Sequence, residues 1–142
     1  MFLFINTAQQ NKTTIGLKKS SSFIIEKTWP TKYHESEKLL PEIDKLFKKS
    51  KNVLTQVKGL VVVNGPGGFS SVRIGVTVAN TLAYVLKIPV ASVKLTEFES
   101  FKELIEIGES RLKLVCRGDR KIKKPQIIKP FYGKEPNITI SN

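Results

Sequence analysis

The sequence predicts one α/β domain in which a mixed β-sheet is flanked by helices. Three neighbouring apolar segments at the start are typical of antiparallel strands, and strand and helix patterns then alternate along the chain. The chain has 142 residues, of which 40% are hydrophobic and 25% are charged. This length and composition are those of a globular domain that buries a core, and they exclude a disordered or fibrous chain.

The first three predicted strands form an antiparallel meander. They cover Phe2–Ile5, Thr13–Leu17 and Phe23–Glu26, and polar, turn-forming residues separate them. Trp29 and Pro30 are predicted to begin a loop, because the residue before a proline is held away from helical backbone angles.

A first amphipathic helix is predicted over Ser36–Lys49. Its apolar side chains recur at helical spacing within one arc of about 120°. They are Leu39, Leu40, Ile43, Leu46 and Phe47. Pro41 is expected in the first turn, where the N–H group that proline lacks has no helical partner in any case.

Gly59–Asn64 is a continuous apolar run, which is typical of a strand buried on both faces. The turn Gly65–Gly68 follows it. Ser70 or Ser71 is then expected to cap a second helix over Val72–Leu86.

The remaining elements are predicted from shorter patterns. Pro89–Val93 is a strand, and Thr96 is expected to cap a helix that Gly108 ends. Leu112–Cys116 is predicted as a strand, and Gln126–Ile140 contains short strand-like pieces.

The second helix carries more apolar surface than one sheet can cover. Its apolar residues occupy an arc of about 200°, whereas a surface helix needs about 100°. Small residues recur at Gly75, Ala79 and Ala83, a spacing that permits the close approach of another helix. Two explanations remain open: the helix lies centrally among elements of its own chain, or another chain covers its second side.

The glycine-rich turn before this helix is a candidate nucleotide-binding element. Helix N-termini bind anions, so Gly65, Gly67, Gly68 and Ser70 are the residues that would hold a phosphate, as an ATP-dependent phosphotransferase requires. The turn lacks the lysine of a P-loop, and the alternative is a strand–helix junction whose glycines permit positive φ.

No catalytic or metal-binding constellation is apparent in the sequence. Cys116 and His34 are the single cysteine and the single histidine, and nothing in the sequence brings them together. No metal and no cofactor are therefore expected, and a binding or scaffold protein is favoured. The start of the chain lacks a basic leader and the apolar runs are short, so we expect a cytoplasmic protein without a membrane segment.

The charge is strongly basic and unevenly distributed. The formal net charge is +12, and Arg111–Lys134 holds nine basic residues and one acidic residue. This segment is either a solvated basic surface or a nucleic-acid contact. The candidate contacts are Arg117, Arg120, Lys121, Lys123 and Lys124. A small tRNA-binding or other nucleic-acid-binding module is the alternative function.

Several segments resemble the signatures of the bacterial TsaB (YeaZ) family. Ser36–Leu46 (SEKLLPEIDKL) is similar to the family motif HSExLLPxIDxLL, and Asn64–Val76 (NGPGGFSSVRIGV) resembles GPGSFTGLRIGV. Ile5–Ala8, Ile88–Val90 and Pro130–Pro136 are similar to further family motifs, and all occur in the family's order.

The resemblance implies an actin/Hsp70-like fold with an RNase H-type core lobe and no catalytic activity of its own. It implies a heterodimer with TsaD, the subunit that transfers the threonylcarbamoyl group to the adenosine next to the anticodon in tRNAs that read ANN codons. It further implies that a TsaE-like ATPase joins the pair and that tRNA is reached through the complex.

The family's contact with TsaD is a four-helix bundle with two helices from each subunit. Carried onto the two predicted helices, the partner-binding residues are Leu39, Leu40, Ile43, Leu46, Phe47, Arg73, Val76, Ala79, Asn80 and Ala83. Without TsaD the same helices are expected to pair two copies of the chain. An aspartate at Val76 or Ala79 is expected to break the complex.

The chain also departs from the family. Asn6 stands where related ATP-using proteins have a metal-binding aspartate, and an amide does not replace a carboxylate toward Mg²⁺. The chain is much shorter than ordinary members, so most of the second lobe is expected to be missing between about Gly108 and Gln126. The predicted division is a core lobe over residues 1–110 and a basic segment with the tail over residues 111–142.

Overall fold

A five-stranded mixed sheet with helices on both faces forms the domain. The computed structural model describes residues 1–20, 23–30, 35–115 and 127–132. The strands and α-helices are β1 (Phe2–Asn6), β2 (Lys12–Ser20), β3 (Phe23–Pro30), α1 (Glu35–Lys49), β4 (Gly59–Val63), α2 (Phe69–Leu86), β5 (Val90–Val93) and α3 (Phe101–Val115).

The strand order is β3-β2-β1-β4-β5. β1 pairs antiparallel with β2 and parallel with β4, and β4 pairs parallel with β5. The antiparallel meander followed by strand–helix–strand crossovers confirms the predicted mixed α/β sheet.

The two faces of the sheet carry different helices. Phe101 of α3 packs directly over Gly16 of β2, where a Cβ atom would clash with its ring. Glu26 stands opposite Gly16 in the ladder, so the next residue, Lys27, points to the other face and forms an ion pair with Glu42 of α1. α1 and α2 therefore cover one face, and α3 covers the other.

The core lies along the two central strands. All five residues of β4 are buried, and Leu3, Phe4 and Ile5 of β1 are at most 1% exposed. This continuous burial confirms the prediction of a strand covered on both faces.

Several predicted boundaries need correction. Trp29 and Pro30 end strand β3, paired with β2, rather than beginning a loop. Pro41 lies inside α1, beyond its first turn, because the helix already begins at Glu35. α2 begins at Phe69, with the backbone of Gly68 at its N-cap and no capping side chain.

The predicted end of α3 and the predicted strand after it were wrong. Gly108 does not stop the helix, since it lies in the middle of Phe101–Val115. Its missing side chain lets the helix approach Val61 and Phe4 of the sheet. Leu112 is a buried helical residue, so the helix crosses the predicted domain boundary after residue 110.

Candidate partner-binding surface

Most of the predicted partner-binding residues lie inside the chain's own core. Seven of them are at most 5% exposed and pack in the core between the sheet and the two helices. They are Leu39, Ile43, Leu46, Phe47, Val76, Ala79 and Ala83. The apolar stripe that the periodicity predicts on each helix is present, and it meets the sheet.

The small residues of α2 also face this chain. A Cβ atom at Gly75 would overlap the side chain of Thr7, which follows β1. The Thr7 hydroxyl donates a hydrogen bond of 2.6 Å to the Ser71 carbonyl. The close approach that Gly75 permits is therefore the approach of α2 to the β1–β2 turn.

A second apolar surface remains exposed beside this stripe. Leu40 of α1 is 51% exposed and Val85 of α2 is 66% exposed, while Ile74 and Val78 are half-buried. We call these four residues the α1–α2 apolar surface. An open groove of about 400 Å³ crosses α2 beside it.

The helical angles of these residues turn most of them toward the contact between α1 and α2. Leu40 lies on the side of α1 away from Glu42, which binds Lys27 of the edge strand β3. That side faces α2, which packs against α1. Ile74 and Val78 lie on the flank of α2 opposite Asn80, at helical angles that turn them toward α1. The sequence had marked these α2 residues only as excess apolar arc.

The other flank of α2 is held by a distant part of the chain. Asn80 donates through Nδ2 to the Ile128 carbonyl at 2.9 Å and accepts from the Ile128 N–H at 2.9 Å. We call residues 127–132 the return segment. Arg73, also on this flank, is exposed, and its guanidinium lies 5.0 Å from the Phe69 ring centroid.

The glycine-rich turn packs against protein backbone. Gly65 has φ of 121°, and a Cβ atom there would overlap the Phe131 carbonyl of the return segment. A Cβ atom at Gly67 would overlap the Ala8 carbonyl. These close approaches account for both glycines, whereas a Cβ atom at Gly68 would make only ordinary van der Waals contact with Ser71, and Ser70 is exposed in the first turn of α2.

A polar cleft of about 450 Å³ lies on the opposite face of the sheet, beside α3. Asn6 at the end of β1, Thr14 and Thr28 form its floor, and Glu26 and Glu99 contribute its carboxylates. Asn6 is 4% exposed, and its Oδ1 accepts the Ala8 N–H at 3.1 Å. The amide at this strand end thus holds the β1–β2 turn in place.

Arg111 joins α3 to the edge of the sheet. Its Nη1 donates to the Ser92 carbonyl and to Glu97 Oε1, each at 2.9 Å, and its Nη2 also pairs with Glu97. These hydrogen bonds from Arg111 lower the pKa of Glu97 to about 2. This residue of the basic segment is therefore engaged within the fold.

The predicted nucleic-acid contacts cannot be placed in the fold. Arg117, Arg120, Lys121, Lys123 and Lys124, together with Cys116 and His34, lie outside the described residues. Among the described residues, no group of three His, Cys, Asp or Glu side chains is placed to hold a metal ion.

The helix α2 is longer and more apolar than the short apolar runs of the sequence suggest. α2 has 18 residues with a mean hydropathy of 1.3, which by length and composition is enough to cross a membrane. In this fold the buried side of α2 packs on the sheet, and core helices meet the same criteria.

Comparisons with known proteins agree on one family. A family model described as TsaD, tRNA N6-adenosine threonylcarbamoyltransferase, matches residues 30–114. The tRNA threonylcarbamoyladenosine biosynthesis protein TsaB of Bacillus subtilis is 34% identical over 83 residues, covering 58% of this chain and 36% of the relative. A tRNA N6-adenosine threonylcarbamoyltransferase of Wigglesworthia glossinidia brevipalpis is 36% identical over 67 residues, covering 47% of this chain and 19% of the relative.

Solved structures give the same result. YeaZ from Pseudomonas aeruginosa superposes with a TM-score of 0.61 at 25% identity, covering 66% of this chain and 43% of that chain. A second structure from that organism is described as an uncharacterized protein with similarity to peptidase YEAZ. It has the same TM-score, and the match spans 66% of this chain and 42% of that chain. The chain thus spans less than half the length of the relatives that it matches, and the shared part is the actin/Hsp70-like core lobe.

Proposed function

Because this chain belongs to the TsaB/YeaZ branch of the TsaD-like family, we propose that it is a non-catalytic subunit of tRNA threonylcarbamoyladenosine synthesis. Its role is to bind and activate a TsaD-like transferase, which modifies the adenosine next to the anticodon in tRNAs that read ANN codons. The proposal includes a cytoplasmic location, where the tRNA substrate is found.

The α1–α2 apolar surface is the observation that carries this proposal. Val85 exposes 66% of its surface, and Leu40 exposes 51%, on the two helices that the family resemblance assigns to the partner contact. Covering such side chains yields about 25 cal/mol for each Å² of apolar area removed from water. Two helices of a partner packed here would complete a four-helix arrangement.

The non-catalytic part of the proposal is supported by Asn6. Its side-chain oxygen is occupied by the Ala8 N–H, and at 4% exposure it contributes a hydrogen bond within the fold. An amide at this strand end lacks the negative charge with which a carboxylate binds Mg²⁺.

Co-purification with the TsaD-like transferase of the same cell tests the proposal. Val85→Asp should abolish the complex, because a desolvated, unpaired carboxylate costs about 3–5 kcal/mol. Leu114→Asp is the matched control, since Leu114 is 67% exposed but lies on α3 beyond the other face of the sheet. It should leave the complex intact.

The results test separately whether the α1–α2 apolar surface is the binding site and whether the TsaD-like transferase is the partner. A complex that survives Val85→Asp and also a charge at Leu40 would contradict this surface. No complex with the unmodified chain would contradict the partner itself. In the absence of the transferase we expect the same surface to pair two copies, and light scattering of Val85→Asp should then report a monomer.

A further inference from the structure

An exposed stack of aromatic and cationic side chains lies at the start of α2, on the flank that carries the return segment. Phe69 is 59% exposed and stacks on Tyr132, with ring centroids 4.9 Å apart and an interplanar angle of 25°. The Arg73 guanidinium lies over the Phe69 ring, 5.0 Å from its centroid. We call Tyr132, Phe69 and Arg73 the Phe69 stack.

The surroundings of this stack are cationic. From Gly59 to Thr96 the chain contains no aspartate or glutamate, although it contains Arg73, Lys87 and Lys94. Lys94 lies over the Phe131 ring at 4.4 Å, so a second cation borders the same segment. Within the described part of the chain, no ion pair with a carboxylate engages Arg73.

A further exposed ring continues the surface along α2. Tyr84 is 68% exposed and lies at a helical angle within about 20° of Arg73. Tyr84 follows Arg73 by eleven positions, which corresponds to roughly 16 Å along the helix axis. Lys129 of the return segment is also exposed beside this flank.

Planar faces next to cations are the features that bind unpaired nucleotides. Bases that have left a helix stack on aromatic rings and on guanidinium planes, while lysine and arginine attract the phosphates. The base faces of double-stranded RNA are stacked inside the helix, so only the electrostatic attraction of its phosphates contributes to its binding free energy. The geometry therefore favours single-stranded RNA over a duplex.

We propose that the Phe69 stack binds an unpaired base of single-stranded RNA, with the base lying on the guanidinium of Arg73. This goes beyond the proposed function, and it concerns the flank of α2 that carries Asn80 and the return segment. Arg73 lines the groove on α2 together with Ile74 and Val78, so the proposed RNA site borders the α1–α2 apolar surface, although the two surfaces differ in chemistry.

Fluorescence anisotropy with a labelled single-stranded RNA oligonucleotide tests the proposal on the full chain. Arg73→Lys keeps the charge and removes the planar face, and it should weaken binding between about fivefold and a hundredfold. Phe69→Leu keeps an apolar side chain under Arg73 and should weaken binding in the same range. Lys102→Ala removes one exposed positive charge on α3, across the sheet, and should change the affinity less than twofold.

A duplex of the same sequence and free ATP complete the design. We expect the duplex to bind more weakly and to be insensitive to Arg73→Lys. Equal affinity for the single strand and the duplex, or single-strand affinity that Arg73→Lys and Phe69→Leu leave unchanged, would overturn the proposal. ATP binding as tight as that of the oligonucleotide would also overturn it, because the site would then be one for free nucleotides.

The co-purification assay separates this inference from the proposed function. Phe69→Leu should still co-purify with the TsaD-like transferase, whereas Val85→Asp should still bind RNA. If Phe69→Leu abolishes the protein complex and leaves RNA affinity unchanged, the Phe69 stack is a protein contact and the RNA proposal fails.

Discussion

A carboxylate should strongly destabilise the fold on the buried side of α2 and have little effect on its exposed side. Ala79 is fully buried against the sheet, so Ala79→Asp places an unpaired charge in the core. That charge costs about 3–5 kcal/mol, and the added atoms cost about 1–3 kcal/mol more in a packed site. A domain has only about 5–15 kcal/mol of stability, so most of it is lost. Val85→Asp changes an exposed residue and should alter stability by less than about 0.5 kcal/mol.

Urea unfolding followed by circular dichroism measures this difference. Ala79→Asp should unfold at a much lower urea concentration or be unfolded without urea, while Val85→Asp should keep the midpoint of the unmodified chain. Equal midpoints for Ala79→Asp and the unmodified chain would refute the assignment of this side to the core. For this reason an aspartate at Ala79 or Val76 does not test partner binding, since the monomer itself is lost.

Three further predictions concern stability. Gly65→Ala should lower the free energy of unfolding by about 1–3 kcal/mol because of its positive φ, whereas Gly68→Ala, with negative φ and room for a Cβ atom, should have little effect in thermal unfolding. Arg111 lowers the pKa of Glu97 to about 2, so this pair stabilises the fold at neutral pH and its contribution is lost as the pH falls from 4.5 toward 2. Glu97→Gln should remove that part of the acid dependence, and at neutral pH it should cost about 1 kcal/mol because the pair is partly exposed; an unchanged acid profile would contradict this. Asn80→Ala removes two hydrogen bonds to the return segment and should cost about 1–3 kcal/mol, with earlier proteolysis in that segment as the direct measurement.

Hydrophobic periodicity was sufficient for most of the sheet and for two helices. The meander β1–β3, the buried strand β4 and the helices α1 and α2 lie where the residue patterns predict them. Each of these patterns can be recognised within a single element, because the spacing of its apolar residues follows the repeat of a strand or a helix. The boundaries differ by a few residues where backbone groups, as at Gly68, replace the expected capping side chain.

Glycine and apolar residues acquire their meaning from tertiary contacts, which explains one error and one question that the sequence left open. Gly108 resembles a helix stop in sequence, but its role is to let α3 approach Val61 and Phe4. Likewise, the apolar arc of α2 has two sides of similar hydrophobicity. Only the packing of β4 and α1 decides that Ala79 is covered and Val85 is exposed.

The attachment of the return segment sets the order in which parts of this domain open. Two asparagines supply most of its anchoring: Asn80 binds Ile128, and Asn64 binds the Lys129 carbonyl and the Phe131 N–H. A few such bonds at the rim break at a lower free energy than a strand ladder inside the core. Amide exchange at Ile128 and Phe131 should consequently precede exchange in β4, and each such opening would uncover the ring of Phe69 that Tyr132 shields.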